Sequence, residues 1–513
     1  MQRVFLLLFC LVTGFSGAQA QLNYDTPPGR LWVLNEGSAE GQLGAVNFPA
    51  GVYDSLSALL PFGNAIHLDG CRLYLVDGSS SFGTGGNVLV YDLNAEAITD
   101  TVFGAEARQV ATWNGQLLVT STTDTAHFKS YDIANGFALR YTLDTTKVRA
   151  ISEGIVVVGD TAFVAVNNFG FPADSQVVAI DLVNEDTLAI IETSLNPQDL
   201  KVVNGKVVAA CNNFADRKTY DVIDPVNLTR TNSWSTGIGV GAFAPAPDGS
   251  DALVFSSDSS TVARLDLTTG AIDTTVIANV SPYGLETAPG FTLLSETDFS
   301  SFGRLLIAEG NTLVGDTIET AVSPRRLLWQ GYEQDISAFL RDRDSNLLGD
   351  TLQFASLPPD ALPPFTASYT FTLSDGFGTI VDGDVNAEPF DTDWAFDSTS
   401  FTLFISPVAI PASLTVRLVV QPNNGCRQVI TRRFAVDQIV GVPTRAQSTT
   451  LALYPNPTSG ALTLAARPGI AYAQASIYAL DPALQLDELP AGVYLVSATA
   501  SDGRVLRSRV VLR

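Results

Sequence analysis

Histidine and cysteine are nearly absent: 513 residues hold two histidines, His67 and His127, and four cysteines. Two histidines so far apart leave little room for a zinc centre, and no H-E-x-x-H helix, G-x-S-x-G elbow or Walker loop occurs. Each of the two reads as a satisfied structural or surface histidine, His67 on an inner strand and His127 in a loop. Cys10 falls in an apolar leader behind Phe9, where lipoprotein processing needs a small side chain. Cys71, Cys211 and Cys426 remain, and an odd number this small is no disulfide framework. Cys71 and Cys211 sit at the edges of apolar strand patterns and read as small buried hydrophobes. Charge is scarce too, at 16% of residues, and one-sided, with a formal net charge of −24. Such a surface repels phosphates and anionic headgroups, which excludes nucleic acid as a partner. After the leader no stretch reaches the roughly 20 uninterrupted apolar residues of a membrane-crossing helix, so no transmembrane segment is expected.

What is present begins with that leader. Arg3 precedes the apolar run Val4 to Val12, and Ala18-Gln19-Ala20 has the small-x-small pattern of a signal-peptidase site. Residues 1–20 therefore read as a signal peptide cut between Ala20 and Gln21. Gly, Ser, Thr, Asn and Asp are abundant, and apolar residues come in short alternating runs, the texture of an all-β protein. The mature length is too great for one core and predicts two to four domains.

A repeat runs through the first part. Strands with an acidic or amide residue flanked by apolar ones recur at Val46-Asn47-Phe48, Tyr91-Asp92-Leu93, Tyr131-Asp132-Ile133, Ile180-Asp181-Leu182, Ile223-Asp224-Pro225, Leu265-Asp266-Leu267 and Ala308-Glu309-Gly310. Their spacings run from 40 to 49 residues, the length of a four-stranded propeller blade. Each is preceded by an apolar strand, from Leu31-Trp32-Val33-Leu34 to Thr292-Leu293-Leu294, and before that by an inner strand such as Asn64 to Leu68, Arg108 to Ala111, Arg149 to Ser152 or Gln198 to Val202. The first unit lacks its inner strand, and Ser323 to Trp329 has no second strand after it. Pairing those two ends closes a ring and leaves no open ladder. The prediction is a seven-bladed β-propeller over 27–330. The run Ala162 to Asn168 followed by Gln176 to Leu182 (AFVAVNN, QVVAIDL) resembles the strand, turn and strand of bacterial YVTN-repeat propellers.

The long polar loops between second and third strands are where a propeller ligand would sit, around the channel. Three of them carry Asn168-Phe169, Asn213-Phe214 and Asp298-Phe299. These pairs suit an aromatic and polar rim for a sugar or peptide; the alternative is that the polar residue shapes the turn while the Phe packs between blades.

Residues 331–440 alternate as strands at Phe371 to Leu373, Phe401 to Ile405, Leu414 to Val420 and Gln428 to Val436, and read as an Ig-like β-sandwich spacer. Asp342, Asp344 and Asn346 have the alternate-residue spacing with which a calcium loop opens, but Leu347 stands where glycine is expected and no glutamate closes the loop. A polar hairpin turn is the other reading, and no other cofactor is implied.

A linker over 441–450 leads to residues 451–513. There Tyr454-Pro455-Asn456-Pro457, Gly460, Pro490-Ala491-Gly492-Val493-Tyr494 and a basic end at Arg513 occur in that order. Paired prolines fix φ and start a turn, and Pro490-Ala491-Gly492 permits a tight hairpin. This order resembles the type A C-terminal sorting domain of type IX secretion cargo in Bacteroidota, a small C-terminal β-sandwich. The segment between Tyr478 and Leu489 is shorter than is usual there. The resemblance implies export, passage through the type IX translocon, removal of the domain by its sortase, and location outside the outer membrane, secreted or on the cell surface. The leading expectation is thus a non-catalytic binding protein for an extracellular glycan, peptide or protein. The rival is an extracellular hydrolase or lyase using a carboxylate pair in the channel.

Overall fold

The computed structural model describes residues 24, 26–37, 40–59, 62–77, 85–121, 126–167, 174–213, 217–235, 242–256, 260–301 and 303–332, then strand segments 351–353, 365–373, 378–381, 394–396, 402–407, 412–422, 425–436, 453–454, 463–464, 472–478, 492–500 and 505–512. Among them there is no helix, and therefore none long and apolar enough to cross a membrane. The leader, the linker, and Asp342, Asp344 and Asn346 lie outside the described residues. Contacts divide the chain into one compact unit, Met1–Asn346 with Asp350–Asp437, and a second, Leu347–Gly349 with Gln438–Arg513.

The first sheet holds β1 (Gly29–Asn35), β2 (Gly41–Asn47) and β3 (Val52–Leu59). Next come β4 (Ala65–Asp69), β5 (Arg72–Val76), β6 (Gly86–Asp92), β7 (Ala97–Trp113), β8 (Gln116–Ser121), β9 (Ala126–Asp132) and β10 (Ala138–Asp144), all in one seven-stranded sheet. Four-stranded antiparallel sheets follow: β11 (Ser152–Val158), β12 (Thr161–Val166), β13 (Gln176–Asp181) and β14 (Asp186–Glu192); then β15 (Pro197–Val203), β16 (Lys206–Asn213), β17 (Arg217–Asp224) and β18 (Thr229–Ser235). Two more are β19 (Phe243–Pro245), β20 (Ala252–Ser256), β21 (Thr261–Leu265) and β22 (Ile272–Ala278), and β23 (Gly284–Ala288), β24 (Phe291–Thr297), β25 (Gly303–Glu309) and β26 (Thr312–Thr320). The last strand here, β27 (Pro324–Gly331), returns to the first sheet and pairs antiparallel with β1, Trp32 facing Leu328 and Val33 facing Leu327. The closing pair therefore forms as the sequence predicts.

The seven-stranded sheet is two meanders sharing one strand. Along its 17 residues β7 pairs first with β6 and then with β8, and Ala107 is partnered on both sides. Gly104 and Glu106 take positive φ, which lets the strand bend from the outer edge of one meander to the inner edge of the next. The inner edges form a cycle: β4 lies beside β7, then β11, β15, β19, β23 and β27 follow, and β27 lies beside β4. Apolar clusters fill the gaps between successive sheets. Trp32, Leu34, Leu73, Leu75 and Tyr91 join the first to the second, and Leu31, Val33, Phe291, Leu293 and Leu327 join it to the last. A cycle of antiparallel meanders with a chain-end strand pair closing it is the topology of a β-propeller.

The recurring aspartate has a local cause. Asp92, Asp132, Asp181 and Asp224 each end the third strand of a meander and Asp266 directly follows one, and one carboxylate oxygen accepts the backbone N–H groups two and three residues on. The side chain thus caps the turn into the fourth strand. In the last meander Glu309 takes the aspartate's place, and Gly310, with φ of 56°, makes the turn instead.

Three expectations need correction. The inner strand placed at Arg149 to Ser152 begins only at Ser152, because Arg149 turns away into a bidentate pair with Asp174 at 2.6 and 2.7 Å. His127 lies on β9 and is buried, not in a loop. Cys71 is not a buried thiol: it is disulfide-bonded to Cys426, 355 residues away, while Cys211 is free and fully buried as expected.

The remaining strands of this unit are β28 (Thr351–Gln353), β29 (Phe365–Leu373), β30 (Gly378–Val381), β31 (Trp394–Phe396), β32 (Thr402–Pro407), β33 (Ala412–Pro422) and β34 (Gln428–Val436). They form two sheets, β28-β32-β30 and β31-β29-β33-β34. In the second unit β35 (Leu453–Tyr454) pairs with β36 (Thr463–Leu464), and β37 (Tyr472–Tyr478), β38 (Gly492–Ala500) and β39 (Val505–Leu512) make one antiparallel sheet. Tyr454, Gly492 and Tyr494 fall on these strands, whereas Pro455, Asn456, Pro457, Gly460, Pro490 and Arg513 lie outside the described residues.

Candidate functional site

The inner strands carry charge where core strands elsewhere carry leucine and valine, and opposite charges meet across the ring. Arg108 on β7 binds Glu153 on β11 at 2.7 Å, both nearly buried. Arg326 on β27 reaches Asp199 on β15 at 3.2 Å, and Lys201 on β15 lies 3.9 Å from Glu286 on β23. Neither pair joins neighbouring inner strands, so both pairs cross the interior of the ring. Arg326 also donates to the carbonyl of Asn64 at 2.9 Å, and the Gln109 amide donates to the same oxygen at 3.3 Å. On β4, His67 meets the Thr112 hydroxyl at 2.9 Å, and burial pushes its pKa down against the upward pull of Asp69.

Where the long loops emerge, Glu36 holds two partners. It accepts from the Arg325 guanidinium and from the Tyr283 hydroxyl. Burial above all keeps that hydroxyl protonated well beyond the ordinary tyrosine range; Arg325 opposes this and Glu36 adds to it. The Phe299 ring stands edge-on to Tyr283, centroids 4.9 Å apart. Phe299 is 58% exposed and holds φ of 64°, a conformation costly for a bulky side chain. Its N–H donates to the Thr297 hydroxyl at 2.8 Å, and Asp298 accepts from the N–H groups of Ser300 and Ser301 at 2.9 and 2.8 Å. The turn chemistry of Asp298 and the exposure of Phe299 thus occur together: the aspartate shapes the turn, and the Phe299 ring packs on Tyr283 while more than half of it stays open to solvent.

The other predicted rim residues are less informative. Asn168, Phe169 and Phe214 lie outside the described residues, and Asn213 ends β16 with its backbone opposite Arg217. Its neighbour Asn212 is the structural one: buried, it donates its N–H to the Asn196 carbonyl at 2.9 Å, its own carbonyl accepts from the Asn196 side-chain amide at 2.7 Å, and its side-chain amide donates to Gln198 at 3.3 Å. Sequence reading missed Glu36, Tyr283, Arg325, Arg108, Glu153, Asp199 and Arg326. Charged residues inside otherwise apolar inner strands, as at Arg108 and Arg325-Arg326, were the available signal. Among the described residues no group of three His, Cys, Asp or Glu converges as a metal site would require.

No family model and no curated protein matches the chain. Among solved structures it is similar to a putative 6-phosphogluconolactonase from Bacteroides fragilis, at 13% identity and TM-score 0.45, covering 59% of this chain and 98% of that one. It is similar to apo AztD from Citrobacter koseri at 13% identity and TM-score 0.41, covering 61% and 100%. The β-propeller domain of Cps50 (Swd1) from Myceliophteria thermophila matches at 12% identity and TM-score 0.42, covering 55% and 96%. The class of the chain follows from its own sheets: it is an all-β protein built on a β-propeller.

Proposed function

We propose that this chain is a secreted or cell-surface binding protein whose propeller, closed as seven blades, presents its long-loop face to an extracellular glycan, peptide or protein. The observation that carries the reading is the pairing of charge in the ring. Glu36, Glu153, Asp199 and Glu286 each have a cationic partner, which favours recognition over acid–base chemistry, since a working general acid needs a carboxyl free to exchange its proton. Phe299 then supplies the exposed aromatic contact beside Tyr283. The cycle of seven inner strands, from β4 through β27, supports the blade count. Export through a type IX system, an Ig-like sandwich over 331–440 and a sorting domain over 451–513 belong to the same proposal. The Cys71–Cys426 disulfide supports export, because such bonds persist in oxidising compartments.

The test is a glycan and peptide array probed with the mature chain, followed by titration of each hit against Phe299→Ala. Loss of about tenfold or more in affinity, roughly 1.4 kcal/mol, with an unchanged circular dichroism spectrum supports the reading. Binding indifferent to Phe299, or turnover of a hit, overturns it. For export, a Bacteroidota host making the chain without residues 451–513 should retain it in the periplasm.

A further inference from the structure

The ring has one vulnerable joint. Every other inner strand is followed at once by its own second strand, whereas β27 pairs with a strand some 300 residues earlier, so opening that pair frees two ladders. We propose that strands β33 and β34 act as a clasp that holds the ring shut at this joint, a role beyond spacing and independent of any ligand.

Three kinds of contact fix the clasp to the structure on both sides of the joint. The first is to the closing strand's own end. Tyr332, the residue after β27, donates its hydroxyl to the Val429 carbonyl at 3.0 Å and accepts the Val429 N–H at 2.8 Å. The second is to the first sheet, where the Ala50 N–H donates to the Thr431 carbonyl at 2.8 Å and Pro49 bridges Thr431 in parallel. The third is to the turns of the second sheet. There Cys426 is bonded to Cys71, the Arg427 N–H donates to the Asn94 amide oxygen at 2.7 Å, and the Asn94 amide reaches the Gly425 carbonyl at 3.4 Å.

A charge network lies between these anchors. Arg30 of β1, almost fully buried over the Trp32 ring at 4.4 Å, faces Asp54 at 3.7 Å and Glu96 at 3.5 Å. Arg417 of β33 approaches the same two carboxylates at 3.5 and 3.9 Å, and Arg427 meets Glu96 at 3.1 Å. Asp54 belongs to the first sheet and Glu96 to the turn after β6, so the clasp arginines and a β1 arginine share acids from both sheets. Withdrawing the clasp leaves Arg30 as the one cation paired with those acids among the described residues, beside the Asn47 amide that donates to Asp54 at 2.7 Å, and pulls on β1, the strand that β27 must hold.

The experiment is hydrogen exchange on the full mature chain, comparing wild type, Cys71→Ser/Cys426→Ser and Arg417→Met. Amides of β1 and β27 should exchange at least about tenfold faster in both variants, with β16 and β17, which carry no ion pair to the closing strand, unchanged, as local opening requires. Unchanged exchange at β1 and β27, or the same acceleration in every sheet, overturns the proposal. Arg417→Met keeps the disulfide, so it separates loss of the clasp from a failure to oxidise.

Discussion

Glu153 and Arg108 are a nearly buried pair, and removing one member of such a pair costs more than the pair contributes, because the other charge stays behind in low dielectric. Glu153→Ala should therefore lower stability by about 3 kcal/mol, and Arg108→Leu/Glu153→Leu by clearly less, read by chemical denaturation. His67 makes a different prediction. Its folded pKa lies below the ordinary histidine value, so the unfolded chain binds the proton more readily. The stability it contributes is complete above about pH 6.5 and is lost as pH falls through the depressed folded value. Asp181, Asp266 and Asp248 are also held low: Asp181 and Asp266 by the turn N–H groups they accept, Asp248, at about 2, by Arg264 and Ser250. Their stabilisation is present above the ordinary carboxylate range and is lost only under far more acid conditions. Between pH 7 and 5 the thermal midpoint should fall in wild type and fall less in His67→Gln; parallel profiles would reject the assignment. The repeated aspartates were legible in the sequence as a period, but their task as turn caps was not, since an Asp at a strand end reads equally well as a surface charge.

Strands reward reading by alternation, and here the order of elements followed from the apolar pattern with few errors. Even the non-local pairing of β1 with β27 was legible, because one end of the repeat lacked an inner strand and the other had one to spare. The shared strand β7 was not legible, since a bend made by Gly104 and Glu106 within one strand looks like a turn between two. The closing strand gives the test at this scale. Leu327 is nearly buried opposite Val33 and packs with Phe291 and Leu293, so Leu327→Ala leaves a cavity in the cluster joining the first and last sheets. The expected cost is about 2–4 kcal/mol. Leu313 on the outer strand β26 is 42% exposed, and Leu313→Ala should change stability by less than about 0.5 kcal/mol. Equal effects in denaturant titrations would mean that the closing pair carries no special share of the fold.

Across the molecule, contacts between distant segments were the hardest to foresee. Cys71 read as a small buried hydrophobe because nothing in the sequence brings position 71 to position 426; the fold does so by seating the β33–β34 hairpin against the first two sheets. The same gap hid the ring's ion pairs, whose members are separated by 45 residues in Arg108–Glu153 and by 289 in Glu36–Arg325. Those pairs sit inside a chain of net charge −24, and the two facts act oppositely on added salt. Repulsion among exposed carboxylates destabilises the compact state and is screened over a Debye length of about 10 Å at 0.1 M. Pairs such as Arg108–Glu153, shielded from solvent, are screened much less. Raising sodium chloride from 10 to 150 mM should therefore stabilise the chain, by a gain on the order of 1 kcal/mol or about 2–4 °C in thermal midpoint. A midpoint that falls with salt would mean that solvent-reached attractions such as Arg326–Asp199, whose side chains are 26% and 25% exposed, outweigh the repulsion of the whole surface.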